Sequence, residues 1–253
     1  MITESLNMED LLHNITGQKY FSKIDLEGAY LQLELEPGSR PLTTIVTPFG
    51  LYQFTRLPFG IKSSPAIFQE VMLRITANLK GVLVYLDDIL IMGKTQDEHD
   101  THLQSLLETL KNHNIRINEA KSQYNKREIC YLGHIISQHG ISPNPIRVQE
   151  FVLAKYPENK QELQSWLGSV QYYAKFIPNV SNYCAPLYSM LKMNTTFEDN
   201  KQVKSAVDKI RELLSTAPVL AAFNPTLPVQ LVTDASAVGI ALVDQSCHFL
   251  RIL

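Results

Sequence analysis

An α+β fold is predicted by three features of the chain. Short β-branched runs meet at turns in the first half, two amphipathic helical segments lie between them, and helical spacing takes over after Pro143. Between residues 20 and 120 the order is strand, helix, strand, strand, helix, strand. That is the order of a ferredoxin-like split βαβ sheet with its helices on one face.

Residues 1–19 are a mixed lead-in whose only helical hint is Met8-Glu9-Asp10-Leu11-Leu12. From Tyr20 a short strand carries Asp25 between Ile24 and Leu26 and breaks at Gly28. A carboxylate in an apolar strand needs a partner. Leu31, Leu33 and Leu35 alternate with Gln32, Glu34 and Glu36, which predicts a half-buried strand ended by a Pro37-Gly38 turn. A hairpin arm over residues 43–47 runs into Pro48-Phe49-Gly50.

The loop from Leu57 to Ala66 enters a helix with Ser64 as N-cap and Pro65 in the first turn, and Ile67, Phe68, Val71, Met72 and Ile75 recur at helical spacing. Lys62 and the backbone N–H groups there could seat a phosphate, or the segment is an ordinary capped core helix.

Val82 to Met92 reads as a tight hairpin, two apolar runs bounded by Gly81 and Gly93 that meet at Asp87-Asp88. Thr95 with Glu98 forms a capping box, opening a helix with His99, Leu103, Leu106, Leu107 and Leu110 on one face. His99 and His102 lack a third ligand nearby, so a solvated or capping role is expected rather than a metal. A strand around residues 115–117 and a hairpin-like stretch over 129–136 follow.

Beyond Pro143, Asn144-Pro145 starts a helix that Pro157 stops, and Asn159 with Glu162 caps a second. Leu163, Trp166, Leu167, Val170 and Ala174 form its apolar stripe; Tyr172, Tyr173 and Lys175 lie largely off it and could face a nucleic-acid strand. Val203, Val207, Ile210 and Leu214 mark a third helix ending before Pro218. A strand over 229–236 carries Asp234 and is followed by a strand over 239–243.

Composition narrows the function. With 253 residues and 45% hydrophobic content the chain can bury one large core or two or three modest ones. A net charge of -2 supplies no global basic field, so nucleic-acid binding would need a local groove. Cys130, Cys184 and Cys247 form no C-x-x-C pair and suit reduced thiols of an intracellular protein, with no disulfide and no zinc. No basic segment followed by an apolar run opens the chain, and no stretch reaches the ~20 apolar residues of a membrane span.

The chemistry centres on the two adjacent acids. Asp87 and Asp88 side by side at an apolar tip repel each other and resist desolvation, and divalent cations relieve both. An Asp-Asp turn facing water is the plain alternative. In the split βαβ order, the Asp25 strand and the Asp87-Asp88 hairpin can be neighbours, so three carboxylates converge at one sheet edge as a candidate two-metal site.

Many ordered motifs then resemble the reverse transcriptases of gypsy-type LTR retrotransposons. They are Tyr20-Phe-Ser-Lys-Ile-Asp25-Leu-Glu-Gly-Ala-Tyr30, Thr47-Pro-Phe-Gly-Leu-Tyr-Gln-Phe-Thr-Arg56-Leu-Pro-Phe-Gly60, Ser64-Pro-Ala-Ile-Phe-Gln69, Val84-Tyr-Leu-Asp-Asp88 and Tyr131-Leu-Gly-His-Ile-Ile136, with Trp166-Leu-Gly, Gln171-Tyr-Tyr-Ala-Lys-Phe-Ile-Pro178, Ala217-Pro-Val-Leu and Thr233-Asp-Ala-Ser236. The likeness runs from about Met8 to Gln245 in order.

The resemblance implies a right-hand polymerase palm over 20–142 with partial fingers, a helical thumb over 143–216 and a truncated start of a ribonuclease H-like domain over 217–253. It implies RNA-directed DNA polymerase activity with two Mg²⁺ ions, for which Mn²⁺ can substitute. Asp25 and Asp87 would hold both ions with Asp88 in support. Tyr30 would exclude a ribose 2′-OH, Phe59 and Gly60 would lie beside the incoming nucleotide, and Lys121 near its triphosphate. Tyr85, Leu132 and Gly133 would contact the primer. Asp234 matches the first acid of ribonuclease H.

The implied partners are an RNA or DNA template with a DNA primer and deoxynucleoside triphosphates. A second chain or polyprotein neighbours (protease, ribonuclease H, integrase) would accompany them, in a cytoplasmic particle or the nucleus and without a membrane. Relatives place basic fingers residues ahead of the Asp25 motif and often Lys where Leu42 stands. The ribonuclease H segment lacks the family's second glycine after Gly239 and stops before the remaining acids. The expectation is a polyprotein fragment without fingers and without ribonuclease H activity; the alternative is an inactive nucleic-acid-binding remnant of a degenerate element.

Overall fold

The computed structural model describes residues 14–192, 197, 201–217 and 219–220, and the backbone of three further strands at 231–236, 239–244 and 249–252. The chain divides into two compact units between Tyr131 and Leu132.

In the first unit, β1 (Tyr20–Asp25) is followed by a small hairpin of β2 (Ile45–Thr47) and β3 (Gly50–Tyr52) turning at Pro48-Phe49. Then come the Ser64–Thr76 helix, β4 (Val82–Tyr85), β5 (Asp88–Gly93), the Gln96–Asn112 helix, β6 (Gln123–Lys126) and β7 (Glu128–Tyr131). The main sheet has the order β4-β5-β1-β6 with every pairing antiparallel. This is the split βαβ arrangement expected from the sequence.

Strand periodicity decides which side chains meet the helices. Ile24 pairs with Ile89 and Ser22 with Ile91. Ile24, Ile89, Ile91 and Val84 share one core with Phe68 and Met72 of the first helix and Leu106 and Leu110 of the second. Alternate residues Lys23, Asp25 and Asp88 therefore project from the opposite face. There β7 supplies Tyr131, fully buried, whose hydroxyl donates to the Asp88 carbonyl at 3.3 Å.

Several local expectations are corrected. Residues 31–35 form no strand: Gly28 turns left-handed at φ 66°, a 3₁₀ turn occupies Ala29–Gln32, and a single bridge joins Glu34 to Arg56. The Gln32 amide donates to the carbonyls of Glu27 and Arg116 and accepts from the Arg116 N–H at 2.6 Å, fixing the turn against a distant loop. Leu33 and Leu35 pack against the core while Glu34 and Glu36 are exposed, as the alternation requires, but Leu31 is 41% exposed and stands outside that face. Pro37-Gly38 opens a 3₁₀ helix over Pro37–Thr43 rather than a tight turn.

Residues 115–117 contribute one bridge, Leu26 to Ile117, and the fourth sheet strand is β6. The first helix is preceded by Ser63 as its N-cap; Ser64 is buried inside it, and its hydroxyl donates to the Pro58 carbonyl at 2.8 Å. Half of the capping box at Thr95 forms as read, with Glu98 N–H donating to Thr95 Oγ1, but the Glu98 carboxylate accepts from the Lys94 N–H, one residue ahead of the cap.

His99 is not solvated. It is fully buried, with Nε2 2.8 Å from Ser22 Oγ and Nδ1 2.9 Å from the Asp100 carboxylate. That Ser-His-Asp chain has the composition of a hydrolase triad, yet Ser22 and His99 are 0% exposed, so no substrate can reach the hydroxyl. Ser22 Oγ accepts from the Asn125 N–H, and His102 Nδ1 lies 2.7 Å from the Met92 carbonyl. Both histidines thus tie the helix to the sheet.

The second unit holds a hairpin of β8 (His134–Ser137) and β9 (Gly140–Pro143), helices at Pro145–Leu153, Lys160–Tyr173, Val180–Met190 and Lys201–Ser215, and the antiparallel strands β10 (Leu231–Ser236), β11 (Gly239–Asp244) and β12 (Phe249–Ile252). Asn144 caps the first helix through Ile146 N–H and Asn159 the second through Glu162 N–H. The first helix stops at Leu153, ahead of Pro157, where Arg211 Nη2 donates to the freed Ala154 carbonyl at 2.7 Å. Leu163, Trp166, Leu167 and Val170 are buried as their spacing requires, and so are Val203, Val207, Ile210 and Leu214. Tyr173 is buried at 7% exposure and cannot face a nucleic-acid strand, whereas Tyr172 is 47% exposed.

Candidate active site

Asp25 is the last residue of β1 and Asp88 the first of β5, and the two are direct Cα partners across the strands. Asp87 sits at the exposed tip of the turn that joins β4 to β5. Hairpin closure and sheet register therefore place the three acids of the sequence expectation at one end of the sheet. The chain after the second helix is stitched to the same end: Asp25 N–H donates to Ser122 Oγ at 3.1 Å and the Asp25 carbonyl accepts from Asn118 N–H at 2.8 Å. The Asn118–Ser122 turn so held carries Lys121.

The electrostatics follow from this crowding. Burial holds the Asp25 carboxyl above the ordinary carboxylate range, Lys121 draws it back down, and Asp87 and Asp88 raise it further as like charges. Lys23 lies two residues before Asp25 on the same face, and its Nζ is 2.8 Å from the Asp88 carboxylate, both side chains being about one-fifth exposed. Asp88 is thus matched within the protein.

Among the described residues, no three or more His, Cys, Asp or Glu side chains close on a single point. With Asp88 turned to Lys23, Asp25 and Asp87 remain as neighbouring acids, close enough for the Asp87 charge to raise the Asp25 carboxyl. Hard oxygen donors of this kind suit Mg²⁺, which keeps several waters and needs only one or two protein carboxylates. The residues present fit such an ion.

Tyr30 stands beside the acids. Its ring centroid is 4.9 Å from Phe59 and 5.2 Å from Phe68, and its phenol is raised first by burial and then by Asp87 and Tyr85. Phe68 is a core residue and Phe59 is 59% exposed, so Tyr30 spans from the core to an accessible edge. Gly60 follows at φ 86°. Tyr85 pairs with Asp88 at the base of the turn. The structure therefore brings Asp25, Tyr30, Phe59, Tyr85, Asp87, Asp88 and Lys121 to one neighbourhood.

Leu132 and Gly133 open the second unit, with φ 45° and 70°. The Leu132 carbonyl accepts from the Tyr172 hydroxyl and from His134 Nδ1, the latter at 2.7 Å. A Cβ on Gly133 would stand 2.8 Å from the Tyr172 oxygen. His134 is 1% exposed among Tyr172, Tyr173 and Phe176. Burial, reinforced by Lys175, lowers its pKa from 6.5 to about 4, while the bond to Leu132 opposes the drop. Asp234 lies in β10 opposite Ala241; its side chain falls outside the described residues.

The His134 geometry gives a pH prediction. The unfolded chain takes up this proton near pH 6.5 and the folded chain only near 4, so the contribution to stability is complete above 6.5 and is lost as pH falls toward 4. Urea unfolding at pH 7.5 and 4.5 should show a steeper loss in the parent chain than in His134→Phe; equal slopes would overturn the assignment.

Lys23 and Tyr131 were not anticipated as parts of the site. The signal for Lys23 was its i−2 position before Asp25, the same face of the same strand. Nothing in the sequence pairs Tyr131 with Asp88.

A family model for reverse transcriptase (RNA-dependent DNA polymerase) matches residues 2–136, and one for an RNase H-like domain found in reverse transcriptase matches residues 200–246. The chain is 34% identical over 243 residues to the Transposon Tf2-3 polyprotein of Schizosaccharomyces pombe, covering 95% of this chain and 18% of that polyprotein. The Tf2-7 polyprotein of the same organism is 33% identical over the same length and coverage. Among solved structures, a foamy viral protease-reverse transcriptase in complex with ds DNA aligns over 100% of this chain and 46% of its own, with a TM-score of 0.89 at 24% identity. A second, with dsDNA, aligns over 100% of this chain and 55% of its own, with a TM-score of 0.85 at 25% identity.

Proposed function

Since this chain belongs to the reverse transcriptase family, we propose that it is the polymerase portion of a retrotransposon polyprotein and extends a DNA primer on an RNA or DNA template. The observation that carries this reading is the register pairing of Asp25 with Asp88, which sets Asp87 at the tip beside them. Residues 20–142 then serve as palm with partial fingers, 143–216 as thumb and 217–253 as the start of a ribonuclease H-like domain.

Asp25 and Asp87 hold the divalent ions. When bound, Mg²⁺ supplies the Lewis acidity that lowers the pKa of the primer 3′-OH and offsets charge on the departing pyrophosphate. Asp88, paired with Lys23, keeps the turn seated. Lys121, exposed beside Asp25, meets the triphosphate of the incoming deoxynucleotide, and Phe59 and Gly60 border its base. Tyr85, with Leu132 and Gly133, contacts the primer. Because the net charge is -2, the template-primer is held by local contacts rather than a general basic field. Foamy viral relatives in complex with ds DNA and with an RNA/DNA hybrid support that partner class.

No helix among the described residues is long and apolar enough to cross a membrane. The curated relatives are polyproteins of which this chain covers 18%. Protease, ribonuclease H and integrase neighbours, and work in a cytoplasmic particle or the nucleus, complete the proposal.

The direct test is primer extension on an RNA template with Mg²⁺. Extension supports the reading, and its failure even with an added fingers segment overturns it. Tyr30 gives a finer test. Its ring is clamped between Phe59 and Phe68, so a ribose 2′-OH would collide with a rigid wall. Tyr30→Val should raise kcat/KM for ribonucleotides relative to deoxynucleotides by roughly 10- to 100-fold. An unchanged ratio removes Tyr30 from sugar selection.

A further inference from the structure

The strand that delivers Asp87 is an edge strand. In the order β4-β5-β1-β6, β4 has β5 on one side and, among the described residues, no strand on the other. Beyond its paired end at Tyr85, the chain turns through Leu86, a non-glycine residue at φ 54°. A leucine in the left-handed region persists only where its surroundings over-determine it. Backbone groups on the outer side of such an edge also need partners when they are withdrawn from water.

Gln69 answers both needs. It lies on the Ser64–Thr76 helix between the core residues Phe68 and Met72 and is 8% exposed. Its Nε2 donates to the Val84 carbonyl at 3.0 Å, and its Oε1 accepts from the Leu86 N–H at 2.6 Å. One side-chain amide thus presents the donor and acceptor that another strand would have offered, and brackets Tyr85 from outside. Leu86 is the residue immediately before Asp87, so its backbone orientation sets where the Asp87 carboxylate points.

We propose that Gln69 is the positioning residue of the acidic turn, acting through Leu86 to aim Asp87 at the divalent ion. The inference rests on the metal role given to Asp87 above. A carboxylate on a turn free to sample other φ values presents fewer of its conformers to the ion. Partners behind a ligand typically change metal affinity by ~10–100-fold when removed. Glutamate at this position would still accept from Leu86 N–H but, when ionised, could not donate to Val84; leucine would do neither.

Two measurements on the full chain separate the possibilities. Hydrogen exchange of the Leu86 amide reads the clamp without any metal, and Mn²⁺ titration followed by electron paramagnetic resonance reads the ion site without catalysis. Gln69→Leu should speed Leu86 exchange about tenfold and weaken Mn²⁺ binding about tenfold, while Gln69→Glu should fall between it and the parent. If Gln69→Leu does not fold, Gln69→Glu carries the same two readouts. Parent-like exchange and Mn²⁺ affinity in these variants, with binding abolished in Asp87→Asn, would overturn the role of Gln69 and leave the metal site standing. Mn²⁺ affinity unmoved by Asp87→Asn would remove the metal site, and the positioning role with it.

Discussion

Asp87→Asn is expected to cripple primer extension, with a loss of roughly a hundred- to a thousand-fold in kcat and little change in stability. The asparagine keeps the size of the side chain at the exposed tip of the turn but removes the charge that, in the proposed role, would bind the ion with Asp25. Stabilisation of developing charge is the largest contribution such a site makes, and loss of a single contributor commonly costs 10²–10³-fold. Because Asp87 is exposed and pairs with no strand partner, the fold should hardly register the change. Single-turnover extension on an RNA template, set beside thermal unfolding of both proteins, checks the two halves together. Residual extension within tenfold of the parent would deny Asp87 its place.

Phe68→Ala should cost ~3–5 kcal/mol, the usual range for removing a buried phenylalanine. The ring is 1% exposed and packs in the core that Ile24, Ile89 and Ile91 share with Met72 and Leu106. Set against the ~5–15 kcal/mol that holds a domain folded, that is about a fifth of the margin or more. Urea unfolding should show the midpoint fall with an unchanged slope. The same substitution removes the inner wall behind Tyr30, whose centroid lies 5.2 Å away. Ribonucleotide discrimination should therefore weaken in the fraction that remains folded.

What the sequence made legible was local or strictly periodic. The hairpin around Asp87-Asp88, the caps at Thr95, Asn144 and Asn159, and the helix through Val203, Val207, Ile210 and Leu214 each follow from a pattern within a few residues. The convergence of Asp25 with that hairpin followed from the order of elements. What stayed hidden depended on contacts distant in sequence. Gln32 fastens to Arg116, 84 residues on, and cancels the strand that the leucine alternation suggested. Lys23 turns to Asp88, and Gln69 reaches Leu86, through approaches that only the folded sheet creates. β6, with its largely exposed sequence Gln-Tyr-Asn-Lys, has none of the apolar rhythm by which a strand is found. Tyr173 was misplaced because its partner His134 comes from a separate hairpin.

The pairing of β1 with β5 alternates strictly, Ile24 against Ile89 and then Asp25 against Asp88. A slip of one position would bring hydrocarbon to the ion and charge to the helices in the same stroke. An inserted or deleted codon anywhere between Tyr20 and Asp25 would therefore strip the protein of its fold and its chemistry at once. A shift of register, unlike the substitution of a single acid, thus removes fold and chemistry together.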